Sequence, residues 1–168
     1  MTAFIDGLTQ FFVPTHLLAI VALGLLAGQH ARRCPVAPLA AFAIGLVAGS
    51  ITVASAIREN PAALGLLTLA VVAAGLVVLA YAIPAWLAGL MAFAAGSALP
   101  LQSPPHEITI ANAIASQVGV AVAAIATLAL VTSIALRATH SWQRIGLRIV
   151  ASWIAASAIL VLALRLAR

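Results

Sequence analysis

Six apolar stretches, separated by short connections that carry arginine, histidine or proline, run through nearly the whole of this chain. A backbone dissolved in hydrocarbon must satisfy its own N–H and C=O groups, which leaves only helices and closed barrels as spanning structures. None of the stretches alternates apolar and polar residues as barrel strands do, so each reads as a helix. Composition agrees: 65% of residues are hydrophobic and 7% charged, with a mean hydropathy of +1.22. Soluble domains are about half apolar and about a quarter charged. The expectation is therefore an all-α membrane protein, a compact bundle of six transmembrane helices in one domain over residues 1–168. At roughly 20 residues per span, no length remains for a second folded domain.

The expected spans cover 12–29, 36–57, 61–81, 85–99, 108–136 and 145–166. Pro14 opens the first, where its missing amide proton is tolerated in a first helical turn. Pro35 precedes the second, which stops at the charged turn Arg58–Glu59, and Pro61 opens the third. Pro84 breaks the chain before the fourth. The segment "LPLQSPPHEIT" reads as a loop, because Pro104 and Pro105 favour extended backbone and remove two donors. The connection "RATHSWQR" precedes the sixth span. Gly24 with Gly28 and Gly45 with Gly49 stand four apart, the spacing at which small residues let helix backbones approach closely.

The net charge of +5 comes from eight arginines, with no lysine, against three carboxylates. No basic run with interleaved aromatics supports nucleic-acid binding. Basic loops beside apolar spans instead follow the rule that such loops stay in the cytoplasm. The connections after spans one, three and five hold Arg32, Arg33, Arg137, Arg144 and Arg148, against Arg58, Arg165 and Arg168 at the other end. This bias places both termini outside, in a multi-pass protein of a bacterial inner membrane. The first residues lack the basic region of a secretory signal, so the first apolar segment is expected to be a retained span. A single cysteine, Cys34, excludes an internal disulfide and any CxxC metal motif.

Six spans sort the polar side chains onto two faces. One face collects Asp6, Thr15, His16, Gln102, His106 and Glu107, the other His30, Cys34 and His140. Imidazole with carboxylate suits a hard or borderline cation, so the first face is the candidate metal site. His16 lies about one turn inside the first span, where an ionisable group faces a bundle interior or a wet cavity. His30 reads as a wet residue at the inner rim. On the fifth span Asn112, Ser116, Gly119 and Ala123 fall on one stripe, which serves equally a cation path or interhelical packing, while Gln117 points away.

His16 and His30 are 30 − 16 = 14 residues apart, a spacing used by stacked haems in membrane helices, about 21 Å along a helix. Their partners would have to be His106 and His140, which fall in opposite loops, so haem-based electron transfer is disfavoured. No carboxylate pair lies within a span, and no HExxH, triad spacing or phosphate-cradling glycine loop occurs; no catalytic residue is expected and the chain does not read as an enzyme. Without a Walker motif it hydrolyses no ATP itself.

The run "HLLAIVALGLLAGQ", His16 to Gln29, resembles the first membrane span of the HupE/UreJ family of hydrogenase and urease accessory proteins, and "GSALPLQSPPHEITIANAIASQVG" is similar to a loop and span of a shortened branch. The resemblance implies a nickel, sometimes cobalt, permease that supports urease or hydrogenase maturation, with no permanently bound cofactor and with metalloenzyme-maturation proteins as partners beside the lipid bilayer. The family's HPxxGxDH motif aligns its final histidine with His16. Thr15 then stands in place of Asp, Val13 in place of Gly, and Thr9 with Gln10 in place of the leading HP. His106 and Glu107 are all that stands where the family has a second histidine-rich segment. The implied metal ligands are therefore His16, His106 and Glu107, with Asn112 and Ser116 along the path and Asp6 and Thr15 at the entry. A non-transporting membrane scaffold or accessory subunit is the alternative.

Overall fold

The computed structural model describes residues 2–11, 13–30, 36–54, 62–81, 83–102 and 109–167. All regular structure among them is helical: α1 (Thr2–Phe11), α2 (Pro14–His30), α3 (Val36–Ala54), α4 (Ala62–Leu79), α5 (Ala85–Gln102), α6 (Ile110–Arg137) and α7 (Ser141–Leu166). Helices α2 to α7 lie on the six apolar stretches. Pro14 is the first residue of α2, as its fixed φ and missing donor favour.

Helix α1 has no counterpart in the sequence reading, although its signal is present. Ala3, Gly7 and Phe11 recur every four residues and are all buried, whereas Ile5, Asp6 and Thr9 are exposed. A short amphipathic helix results, its buried stripe packed on α6. Two other boundaries move. The expected fourth span stops at Leu99, but α5 continues to Gln102 through Pro100, because Leu99 and Pro100 are both buried against the bundle and one missing rung is tolerated in a last turn. The expected loop before the sixth span shrinks to Ala138–His140. There the His140 main-chain N–H donates to the Gln143 side-chain oxygen at 3.1 Å, so that "SWQR" forms the first turn of α7.

Helices α2 and α4 pack together at the centre. Helix α6 lies on α2, α7 on α4, and α5 touches both; α3 attaches to the outside of α5, and α1 to α6. Every residue of α2 from Ala22 to Gly28 is buried. The interior is rich in alanine, with Ala19, Ala73, Ala92 and Ala124 fully enclosed, while large apolar side chains point outward: Leu79, Ile110 and Trp153 are 76%, 82% and 74% exposed. Water penalises so much exposed hydrocarbon, whereas lipid does not. Among the described residues three helices, α5, α6 and α7, are long and apolar enough to cross a membrane, and a fourth span results if α1 and α2, bent by 67° at their junction, count as one. The apolar parts of α3 and α4, Val36–Thr52 and Leu64–Leu79, are shorter. The chain is thus a helical membrane protein by the length and composition of these elements.

Backbone proximity explains the tight packing. A Cβ on Gly45 would meet the Phe93 carbonyl, one on Gly49 the Ser97 carbonyl, and one on Gly96 the Phe42 carbonyl, so α3 and α5 touch through main chain. A Cβ on Gly24 would come 2.8 Å from the Val131 side chain, and one on Gly28 would strike Ala135. Both glycine pairs noted in the sequence are therefore used inside one chain. Gly75 and Gly89, by contrast, lie inside helices with nothing within 4 Å of a built Cβ. Ala at either position is expected to stabilise the protein by about 0.5–1 kcal/mol, through the lower backbone entropy of the unfolded state. Thermal unfolding in detergent, with each variant set against the wild type, checks this.

Candidate functional site

Hydroxyl groups in these helices are mostly satisfied locally. Ser50 donates to the Leu46 carbonyl at 2.8 Å, Thr52 to Gly49 at 2.7 Å, Ser133 to Ala129 at 2.6 Å and Ser152 to Ile149 at 2.8 Å. Such back-bonding to the same helix is the ordinary solution for a polar side chain lacking water. Against that background, only three buried side-chain polar atoms among the described residues lack a partner: His16 Nδ1, Gln10 Oε1 and Thr132 Oγ1.

Two of the three lie at one place, the elbow between α1 and α2. Gln10 is in the last turn of α1, and His16 is the third residue of α2. The His16 ring is 3% exposed and lies against the Gln10 main-chain carbonyl and the Gln102 side chain. Gln102 is the final residue of α5. Two helix C-termini and one helix N-terminus thus converge on a buried imidazole. Thr15, next to it, is 7% exposed. The main-chain N–H of His16 donates to the Val13 carbonyl at 3.0 Å, so the backbone is satisfied where the ring is not.

The other expected site residues are distributed differently. Asp6 is exposed on α1, and its main-chain carbonyl accepts from the Thr9 hydroxyl at 2.8 Å. His106 and Glu107 lie outside the described residues, as do Cys34 and Glu59. Among the described residues, no three His, Cys, Asp or Glu side chains come together in a way that could hold a metal ion. On α6, Asn112 is exposed at the first turn, where its main-chain N–H donates to the Thr109 hydroxyl at 3.4 Å. Ser116 is buried.

The α6 stripe meets α1 rather than an open path. A Cβ on Gly7 would strike the Ser116 carbonyl, and one on Gly119 would strike the Phe4 carbonyl, so Ser116 and Gly119 form the seat on which α1 rests. Of the two readings of this stripe, helix packing accounts for these contacts. A side chain forced between the two backbones must displace α1. Gly119→Leu is expected to release α1 from α6 while α3 and α5 stay paired, which is read by loss of a disulfide cross-link between cysteines introduced at Phe4 and Val120 and retention of one between Phe42 and Ala92.

Sequence reasoning found His16 but missed Gln10 as a partner. The signal available was a glutamine four residues before a proline, inside a short amphipathic pattern, and it becomes meaningful only once α1 is seen to fold back at the elbow. His140, on the other face, is exposed and caps α7, with its Nδ1 3.3 Å from the Thr139 hydroxyl. No family model, no curated protein and no solved structure matches this chain.

Proposed function

We propose that this chain is a membrane protein of the HupE/UreJ type, its six apolar helices all spanning the bacterial inner membrane, which moves a divalent cation, nickel or cobalt, in support of urease or hydrogenase maturation. The observation that carries this reading is the imidazole of His16, buried and with its Nδ1 lacking a hydrogen-bond partner. A buried polar group without a partner costs about 1–3 kcal/mol, and a transient occupant recovers that cost when it binds. Imidazole is a suitable donor for nickel and cobalt. Gln102, which stands against His16, is four residues before His106 in the chain.

In this reading a cation is attracted by Asp6 and Glu107, passes His106, and reaches His16 under Thr15. The arginines at the other end oppose its lingering there. Asn112 serves the entry at the exposed start of α6, whereas Ser116, covered by α1, lies off the path. No covalent chemistry is performed by the protein, and no cofactor is held permanently.

A second reading is favoured by one observation: α1 covers the Ser116–Gly119 stripe by backbone packing, which suits a non-transporting scaffold whose arginine loops bind a maturation protein. Accumulation of nickel and cobalt separates the two. Cells expressing the chain are expected to take up more of at least one metal than cells with an empty vector, by a margin that grows with the amount of protein in the membrane. Equal uptake of both metals, with the protein present in the membrane, leaves the scaffold reading.

A further inference from the structure

Helix α7 stands clear of the bundle at its start. Among residues 141–150 none is buried, and the first buried residue of the helix is Ala151. These first turns have two distinct faces. Trp142, Ile145 and Ile149 recur at i, i+3 and i+7, so they share one face, and all three are exposed. Arg144 and Arg148, four residues apart, share another face and are exposed as well. Arg137, exposed in the last turn of α6, stands across the short link 138–140. Gly146, between the two arginines, has nothing within 4 Å of a built Cβ, so no other element covers the helix on that side.

Depth and charge identify what meets this surface. After Arg148 the chain runs from 149 to 164 without a charged residue, about 24 Å of helix, and Arg165 follows. With both arginine side chains reaching outward, this length fits a hydrocarbon core of about 30 Å. Arg148 is therefore within reach of the lipid phosphates, and Arg144 lies one turn farther out among the headgroups. The apolar face is unfavourable in water, and at this depth its neighbours are headgroups and the upper parts of acyl chains. A helix with Trp and Ile on one face and arginines on another is suited to an anionic membrane surface. The protein itself does not compensate the charge. Among the described residues the only carboxylate side chain is that of Asp6, on α1, whose seat at Gly119 is about 27 Å along α6 from Arg137. Like charges at i, i+4 repel each other, and an anion between them turns that repulsion into attraction.

We propose that Arg144 and Arg148, with Arg137 beside them, bind the phosphate of an anionic phospholipid whose acyl chains start beside Ile145 and Ile149. The guanidinium fork donates two parallel hydrogen bonds to phosphate oxygens, which a lysine ammonium cannot do, and every basic residue of this chain is an arginine. A zwitterionic headgroup carries its own cation and gains much less from the same arginines. The site rests on α7 crossing the membrane and on neither the permease nor the scaffold reading, so it stands or falls apart from both.

The test uses the full-length protein in a neutral detergent, with a fluorescent-tailed phosphatidylglycerol as probe, displaced by unlabelled phosphatidylglycerol, phosphatidylcholine or sodium phosphate. Wild type is expected to release the probe to phosphatidylglycerol at least about tenfold more readily than to phosphatidylcholine, and not to release it to sodium phosphate. Arg144→Gln and Arg148→Gln are each expected to weaken the anionic lipid about fivefold, and the double variant roughly 25-fold, with phosphatidylcholine unaffected. Arg165→Gln, exposed at the other end of α7, is expected to leave the affinity unchanged. Equal displacement by the two lipids overturns the site. Displacement by sodium phosphate overturns it as well, because the arginines then hold any anion. A loss in Arg165→Gln as large as in Arg144→Gln assigns the preference to net charge and removes the site. The wild-type comparison and the Arg165→Gln control decide the matter even if the double variant fails to fold.

Discussion

Gly96→Leu is expected to detach α3 from α5 and to destabilise the protein by about 3 kcal/mol or more, beyond the usual range for overpacking because main chain cannot yield as a side chain can. Gly96 sits in α5 where a Cβ would meet the Phe42 carbonyl, with the Leu46 amide nitrogen 3.0 Å away. Gly45 and Gly49 make the reciprocal approach from α3 to Phe93 and Ser97. Three glycines thus interlock two helices along their length, and a leucine in the middle forces the axes apart. Helix α3 has few alternative neighbours, since besides α5 it touches mainly α6. Loss of the α5 contact therefore exposes the Phe42 and Leu46 side chains that now lie buried. The expected readout is a large fall in thermal stability in detergent, with rapid proteolysis between α3 and α4. A melting curve close to that of wild type would show that α3 is held by something other than this backbone contact.

His16→Leu is expected to abolish metal uptake while leaving stability within about 1 kcal/mol of wild type, because the variant exchanges an unsatisfied buried ring for hydrocarbon of similar size. Two effects oppose one another. Removing the unpartnered Nδ1 relieves a desolvation cost, and removing the ring takes away the group that Gln102 and the Gln10 carbonyl contact. Neither effect bears on assembly of α3 with α5 or of α7 with α4. Uptake of nickel and cobalt, normalised to protein in the membrane, is set beside the melting temperature of the purified variant. Uptake lost at unchanged stability assigns His16 to transport. Uptake kept at wild-type level removes it from the path, and loss of both together makes it a structural residue.

The helices could be read from the chain because hydrocarbon leaves a backbone so few choices. Pro14 and Pro84 mark where α2 and α5 begin, and the absence of alternation excluded strands. Boundaries slipped where local rules met tertiary contact. Pro100 stays helical because burial of Leu99 and Pro100 holds the last turn of α5, and Ser141 enters α7 because the Gln143 side chain caps it through His140. Helix α1 was missed because a stripe of Ala3, Gly7 and Phe11 is too short and too small to stand out beside spans of leucine and valine. Its stability comes from its seat on α6 and not from its own residues, since an isolated helix of this length is marginal.

The candidate site divides in the same way. That His16 needed an explanation followed from the cost of an imidazole in an apolar segment, which depends on neither neighbours nor topology. Which groups answer it depends on both. Gln10 comes close because the chain turns by 67° between α1 and α2, and Gln102 because α5 overruns its expected end by three residues, Pro100 to Gln102. The Ser116 stripe shows the reverse: its spacing allowed a path or a packing surface, and only the position of α1 against Gly119 distinguished them. Sequence alone determined that the chain is apolar, helical and suited to a membrane, because those properties are sums over residues. Tertiary structure alone decided which glycines touch backbone and which acceptors are left without donors, because each is a relation between atoms far apart along the chain.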